Sequence, residues 1–388
     1  MKHFFDKQIE RLAYIRLIAS IGFYRILANI VILLYPVFKS KLKKYELGLY
    51  PFAQKGSDGY TRRFQEYFSF LEADKINFKV FDICDDVDYI SVIKSGKKRT
   101  YDFFRFVLKK RFFQTMEIRY CEKAFIHRNL YPFYPDLKFP FLEKMAYKLC
   151  DNVIIDYWDS VWLYNHTLTE RTVKYCHKLT VVNQYIFDHF NYAHNKKYIF
   201  PIGVNLDKYI VKKDYNCSED GVLTFFYTGL PGNVRNLLHE MDIVFKELSK
   251  KIKLKLILVS RETVEHPDIT VEHHIFDENT FFKLLIKADI GIYAIDNSDI
   301  SRGKMAMKVL DYFAAALPCI ASPYGITPYA NHKENCLLAK TKDEWIEYML
   351  LLYNDKNYRE FLGKAGRKTI EEKHNLADSY SLFKSISG

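Results

Sequence analysis

Residues 288–325, ADIGIYAIDNSDISRGKMAMKVLDYFAAALPCIASPYG, constrain the fold of this chain more than any other segment. The segment opens as a buried strand (Ile290, Ile292, Ala294) and passes through a polar loop with a basic tip at Arg302 and Lys304. A helix follows, on which Met305, Val309, Tyr312 and Phe313 recur at the 3.6-residue period, with Lys308 and Asp311 among them. Leu317-Pro318 stops that helix, because proline lacks an N–H and clashes with the preceding turn. Cys319 to Ala321 then read as a second strand that ends in a Ser-Pro-Tyr-Gly loop. A strand–basic loop–helix–strand unit belongs to a parallel sheet. It sets cations and helix N–H groups at the carboxyl edge, where open α/β folds bind phosphorylated ligands.

The same alternation recurs along the chain. Leu47–Phe52, Phe78–Phe81, Ala124–Ile126, Val153–Ile155, Leu179–Val182 and Tyr198–Ile202 read as strands of a first series, with a helix at 60–73. Residues 222–229, 254–260, 290–295 and 319–322 form a second series, with helices at 235–250, 278–288, 343–353 and 357–373. At 388 residues, two domains are the default. The pattern therefore predicts an α/β protein of two facing, Rossmann-like, doubly wound parallel-sheet domains with an N-terminal helical extension. The expected divisions are basic amphipathic helices over 1–44, a first domain over 45–204, a second over 205–375, and a tail or helix over 376–388 that returns toward the first domain.

The net charge of +11 is concentrated in two places. Residues 1–44 carry nine Lys/Arg against Asp6 and Glu10, and residues 94–111 carry eight against Asp102 alone. Both stretches interleave their cations with Phe, Tyr, Leu and Ile, which suits an anionic membrane surface, although ordinary solvated helices share the pattern. No recognisable nucleic-acid motif accompanies the charge, so nucleic acid is not expected as a partner. Residues 17–38 are long enough to span a bilayer, but Arg25 and Asn29 would lie near its middle, which favours an in-plane or packed helix. Seven scattered cysteines without CxxC spacing argue against a disulfide framework or structural zinc and fit a reducing cytosol. No small-residue cleavage site follows the first apolar run, so no cleavable signal peptide is expected.

These segments, in this order, resemble a nucleotide-sugar-dependent glycosyltransferase of family 4, with the GT-B fold, over about residues 45–375. The 288–325 unit resembles the family's "DIGI-P", "GK" loop and "K-EYMA-G-PVVAS-VG". TVVNQYIFDHF and KYIFPIGVNLDKY resemble its inter-domain signature, and FFYTGLPGN its first donor-domain strand and phosphate loop. AFIHRNLYP and VIIDYWDSVW resemble acceptor-domain segments of one branch. The chain departs from the family in four places. Asp311 stands for the glutamate that holds the donor ribose, and the partner glutamate of the E-x7-E pair would fall at Gly303. Ala316 replaces a glycine, and Asn183 replaces a serine.

The resemblance implies a retaining enzyme that transfers a hexose-type sugar from a UDP- or GDP-sugar, without a metal or other cofactor. The acceptor would be a saccharide or lipid-linked molecule in surface polysaccharide or glycolipid synthesis. Together with the two basic, aromatic-rich segments and the scattered cysteines, this reading leads to the expectation of a cytoplasmic protein attached peripherally to the inner face of the cell membrane. Lys304 and Arg235 become candidates for the donor diphosphate, with Gly229, Gly232 and Gly325 allowing close backbone approach and Asp311 accepting from ribose. Lys308 either contacts the donor or bridges Asp311. His127 and Arg128, with Lys304, are the candidate catalytic groups. Arg62, Arg63, Asp156 and Asp159 are candidate acceptor contacts, although Asp156 and Asp159 could equally cap a helix. No Ser/His/Asp-type nucleophile set is legible, and no His/Cys cluster has metal spacing. Two rivals remain: a GT-B sugar-nucleotide epimerase, and a non-catalytic paralogue acting as a membrane-associated assembly subunit.

Overall fold

A computed structural model describes residues 2–131, 137–217 and 221–387. Pro132, the last residue of the AFIHRNLYP segment, lies outside them. The chain divides into two compact units: Met1–Phe200 together with Tyr380–Gly388, and Pro201–Ser379. The divide therefore falls four residues before the expected boundary. The N-terminal helix belongs to the first unit and does not form a body of its own.

The first unit holds six parallel strands: β1 Tyr45–Tyr50, β2 Phe78–Val80, β3 Cys121–His127, β4 Val153–Tyr157, β5 Lys178–Val181 and β6 Lys197–Ile199. Their order is β2-β1-β3-β4-β5-β6. Helices cover a sheet of this kind, so central strands read as nearly unbroken apolar runs, and all five residues of β4 are buried. The second unit repeats the plan with β7 Val222–Thr228, β8 Lys253–Val259, β9 Thr270–His274, β10 Ile290–Tyr293, β11 Cys319–Ala321 and β12 Leu337–Leu338. Here the order is β12-β11-β10-β7-β8-β9, again all parallel. The doubly wound α/β architecture expected from the alternation is present in both units.

Local chemistry sets the helix ends. Asp277 accepts from the Thr280 N–H at 3.0 Å to start Glu278–Lys287, and Thr341 and Glu344 form a capping box on Lys342–Asn354. The helix Met307–Ala314 ends in a Schellman motif: Leu317 N–H donates to Tyr312 O at 2.8 Å and Ala316 N–H to Phe313 O at 3.0 Å. Ala316 sits there at φ +55°, the left-handed region that glycine tolerates best.

Three features differ from the sequence-based expectation, the short edge strand β12 among them. The single helix expected over 60–73 is broken into Asp58–Arg63, a short 3₁₀ turn Gln65–Tyr67, and Phe68–Ala73. In a regular helix Arg63 and Phe64 would diverge by about 100°, whereas the break at Phe64 buries both side chains. The edge strand β9 was not expected. Its sequence, TVEHH, is polar because only one side of an edge strand meets the core.

Candidate functional site

Within the first unit, the carboxyl ends of β3 and β4 gather the expected residues. Arg63 forms a two-pronged pair with Asp156, Nε to Oδ2 at 2.9 Å and Nη2 to Oδ1 at 2.6 Å, and both side chains are fully buried. Arg63 Nη2 also donates to Phe200 O at 3.0 Å, and the Thr180 hydroxyl donates to Asp156 Oδ1 at 2.7 Å. The guanidinium lies 3.8 Å from the centre of the Phe200 ring. This arrangement corrects the expectation that both residues contact an acceptor. A charge this deep is tolerated because its partner satisfies it, and neither group reaches solvent.

His127 closes β3 and is almost fully buried, ringed by Phe52, Phe64 and Trp158, with the Trp158 ring 5.1 Å away. Neither ring nitrogen has a hydrogen-bond partner, nor does the buried Trp158 Nε1. Burial holds the imidazole well below its ordinary pKa, and the Arg128 and Arg63 charges add to the effect, so His127 is neutral at physiological pH. Arg128 adopts a left-handed backbone, φ +62°, uncommon for a bulky residue, and ion-pairs with Asp159. Its guanidinium lies 4.9 Å from the Phe52 ring centre, and its buried Nε has no partner. Arg62 instead bonds Asp58 one turn back, Nε to Oδ1 at 2.8 Å. Trp158 escaped sequence reading, although its place two residues beyond Asp156 was a usable signal.

In the second unit the loop after β10 is organised by Asp296, which sequence reading also missed. Asp296 Oδ1 accepts from the Ser298 hydroxyl at 2.8 Å and from the Ser301 hydroxyl. Those bonds and the nearby Lys304 charge hold its carboxyl below the usual range. Lys304 follows on this loop, half-buried, and desolvation lowers its pKa against the opposing pull of Asp296. Gly325 lies beside it at φ +53°. A β-carbon there would come within 2.0 Å of Ser301 O and 3.1 Å of Lys304 Cβ. Only glycine allows the two loops to lie this close.

Gly229, just past β7, is less constrained: a β-carbon there would stand 3.2 Å from Asn233 Cβ, 3.3 Å from Tyr227 Cε1 and, in ordinary contact, 3.6 Å from Lys308 Cε. The Lys308 ammonium lies 5.2 Å from the Tyr227 ring centre and 5.9 Å from that of Tyr293. Lys304 and Lys308 are thus held by the loop and helix that follow β10, Lys304 beside the close-packed Gly325 and Lys308 in ordinary contact with Gly229. Gly232 is different: it lies in the first turn of Pro231–Ser249, where a β-carbon would meet nothing. Arg235 is exposed and lies 3.7 Å from Glu262. Asp311 is 3% exposed, and its Oδ1 accepts from the Tyr209 hydroxyl at 2.5 Å. A ribose would have to share that carboxylate with Tyr209. Among the described residues no group of three or more His, Cys, Asp or Glu could hold a metal ion.

No protein-family model matches the chain, and no curated protein matches it. Solved structures do. Anabaena Alr3699/HepE, solved with UDP and glucose, shares 8% identity over 88% of this chain and 99% of its own, with a TM-score of 0.59. A glycosyltransferase from Rickettsia africae shares 13% identity over 88% and 97%, with the same score. Sucrose-phosphate synthase from Thermosynechococcus elongatus shares 12% over 74% and 77%, at 0.52. The fold is GT-B. At these identities the likeness concerns fold, and chemistry must be argued from the side chains.

Proposed function

We propose that the protein is a retaining glycosyltransferase resembling family 4. It would transfer a hexose-type sugar from a UDP- or GDP-sugar to a saccharide or lipid-linked acceptor in building a surface polysaccharide or glycolipid. The observation that carries this reading is the placement of Lys304 and Lys308 after the carboxyl end of β10, Lys304 against the constricted Gly325 that follows β11 and Lys308 in contact with Gly229 that follows β7. The structural neighbour Anabaena HepE was solved with UDP and glucose, which supports the choice of ligand class.

In this reading Lys304 and Lys308 grip the diphosphate, and Gly229 lets backbone approach it. As the glycosidic bond breaks, the departing nucleoside diphosphate gains charge, and cations already in place stabilise the transition state more than the ground state. Partial desolvation of Lys304 strengthens that attraction. Asp311, shared with Tyr209, receives a ribose hydroxyl. Arg235 can swing from its exposed partner, because such a pair is weak. In the first unit the partly exposed Arg128 supplies a cation for the acceptor side, and the unpaired nitrogens of neutral His127 and Trp158, buried as they stand, reach a sugar hydroxyl only when the side chains around them move. No general base is required of the protein in a retaining reaction of this type, and none is assigned.

Turnover is tested by nucleoside diphosphate release across a panel of UDP- and GDP-sugars, with oligosaccharide and lipid-linked acceptors. Lys304→Ala is expected to lower kcat by about 10²–10³ while leaving the urea midpoint within error, the size of effect seen when one transition-state contact is removed. Retained activity in that variant would sink the assignment. The internal bond from Tyr209 to Asp311 keeps the non-catalytic subunit reading in play. Thermal shift decides it, because UDP or GDP raises the melting temperature only of a protein that binds it.

A further inference from the structure

The N-terminal helix Lys2–Leu33 carries two opposed apolar stripes, and the fold uses only one. Ala13, Leu17, Ile21, Ala28 and Val31 are buried against the first unit. About half a turn away, Leu12, Ile15, Ala19, Phe23, Ile26, Ile30 and Leu33 recur at three- and four-residue steps, all exposed, the six larger side chains by 46–78%. Scattered apolar residues on a surface need no explanation, but a continuous stripe along six or more turns does.

The chemistry around the stripe identifies its occupant. Tyr14 meets Tyr101 at 5.4 Å, Arg105 Nε donates to Ser20 Oγ at 3.2 Å, and Tyr24 meets Phe112 at 5.1 Å. The helix Lys97–Glu117 therefore runs parallel to the first helix, and its exposed Lys97, Lys98 and Arg99 stand at the Leu12 end of the stripe. Farther along, the two helices enclose a groove of about 400 Å³ lined by Ser20, Tyr24, Asp102, Arg105, Phe106 and Lys109. Ser20 lies one turn before Phe23, so the groove borders the stripe, and Phe106 is itself 57% exposed. An apolar face rimmed by cations complements acyl chains below anionic headgroups, and the groove at its margin adds Arg105, which shares its charge with Asp102 at 3.4 Å, and Lys109.

We propose that this face docks on an anionic phospholipid monolayer, with the first helix lying in the membrane plane and the Arg105–Lys109 groove holding a headgroup phosphate. The helix over Lys7–Leu33 has the length of a membrane span and contains an 18-residue window of mean hydropathy 1.7. A span would nevertheless expose the buried stripe to lipid and draw Arg105 and Lys109 into the hydrocarbon, where cations are costly. The inference stands apart from the proposed sugar transfer and needs no substrate to test.

The full-length protein is sedimented with phosphatidylcholine vesicles and with vesicles containing 30% phosphatidylglycerol. Binding is expected at least ten-fold stronger to the anionic vesicles, and weaker as salt rises through the point where the Debye length falls below 10 Å. Ile26→Glu with Leu33→Glu, and separately Arg105→Glu with Lys109→Glu, should each reduce binding ten-fold or more. Melting temperatures are measured alongside, because Arg105→Glu also removes the bonds to Ser20 and Asp102, and Lys109→Glu alone, at an exposed side chain, should weaken binding without lowering the melting temperature. Equal binding to neutral vesicles, or binding indifferent to both variants, overturns the proposal. So does resistance of the bound protein to alkaline carbonate, which would mean a span. A lipid-independent dimer that dissociates in Ile26→Glu/Leu33→Glu would instead assign the stripe to a second copy.

Discussion

The carboxyl edges of the two sheets carry similar residue types and treat them in opposite ways. In the first unit the charged pair is closed on itself: Arg63 and Asp156 satisfy each other in the core, with Thr180 and Phe200 O completing the set. The groups left without partners there are the neutral ones, His127 and Trp158 Nε1. In the second unit the cations stay near the surface, with Lys304 and Lys308 half-buried and Lys304 beside the tight Gly325. A charge at a sheet edge is therefore not a ligand contact by virtue of position. Burial and the count of internal partners decide, and by that measure the second edge presents its cations while the first closes its charged pair in the core.

The sharpest break of this contrast is Asp156→Ala or Arg63→Ala. Each leaves one charge buried without its partner, and a loss of about 3–5 kcal/mol is expected in urea unfolding. The double replacement Arg63→Met/Asp156→Leu should recover most of it. If the single variants unfold normally but lose acceptor affinity, Arg63 and Asp156 return to the ligand-contacting set.

Acid should also separate the two edges. Because burial depresses the His127 pKa, the unfolded chain, with histidine near 6.5, binds more protons below that pH than the folded chain does. Stability from this group is therefore intact above about pH 6.5 and falls on acidification, by at most about 2 kcal/mol at pH 5. His127→Leu should flatten the difference in urea midpoint between pH 7.5 and pH 5 relative to wild type. An unchanged slope would mean that His127 is hydrated in solution.

The smallest expected effect lies behind the second edge. Ala316→Gly relieves a left-handed alanine and should stabilise the chain by about 1 kcal/mol, read as a raised urea midpoint, without altering nucleotide binding. Altered binding would show that the turn after Met307–Ala314 sets the position of Lys308.

Legibility in the sequence followed the range of the interaction. The strand–loop–helix–strand unit around Lys304 was readable because hydrophobic period, a basic loop and Leu317-Pro318 all act within a few residues. Lys304, Lys308 and Gly325 could be named for the same reason. The Arg63–Asp156 bond joins residues 93 positions apart, and the Tyr209–Asp311 bond joins residues 102 apart. No local pattern announces either one. Trp158 and Asp296 were missed because a lone indole or carboxylate in a loop has many uses, and only its neighbours select one.

Sequence alone determined the α/β alternation, the two doubly wound sheets and the uneven placement of charge, since periodicity and composition encode which face of each element avoids water. Tertiary structure alone decided which charged groups are internal and which are presented. Desolvation and hydrogen-bond partnership depend on segments distant in the chain, and those two quantities separate a buried ion pair from a binding cation.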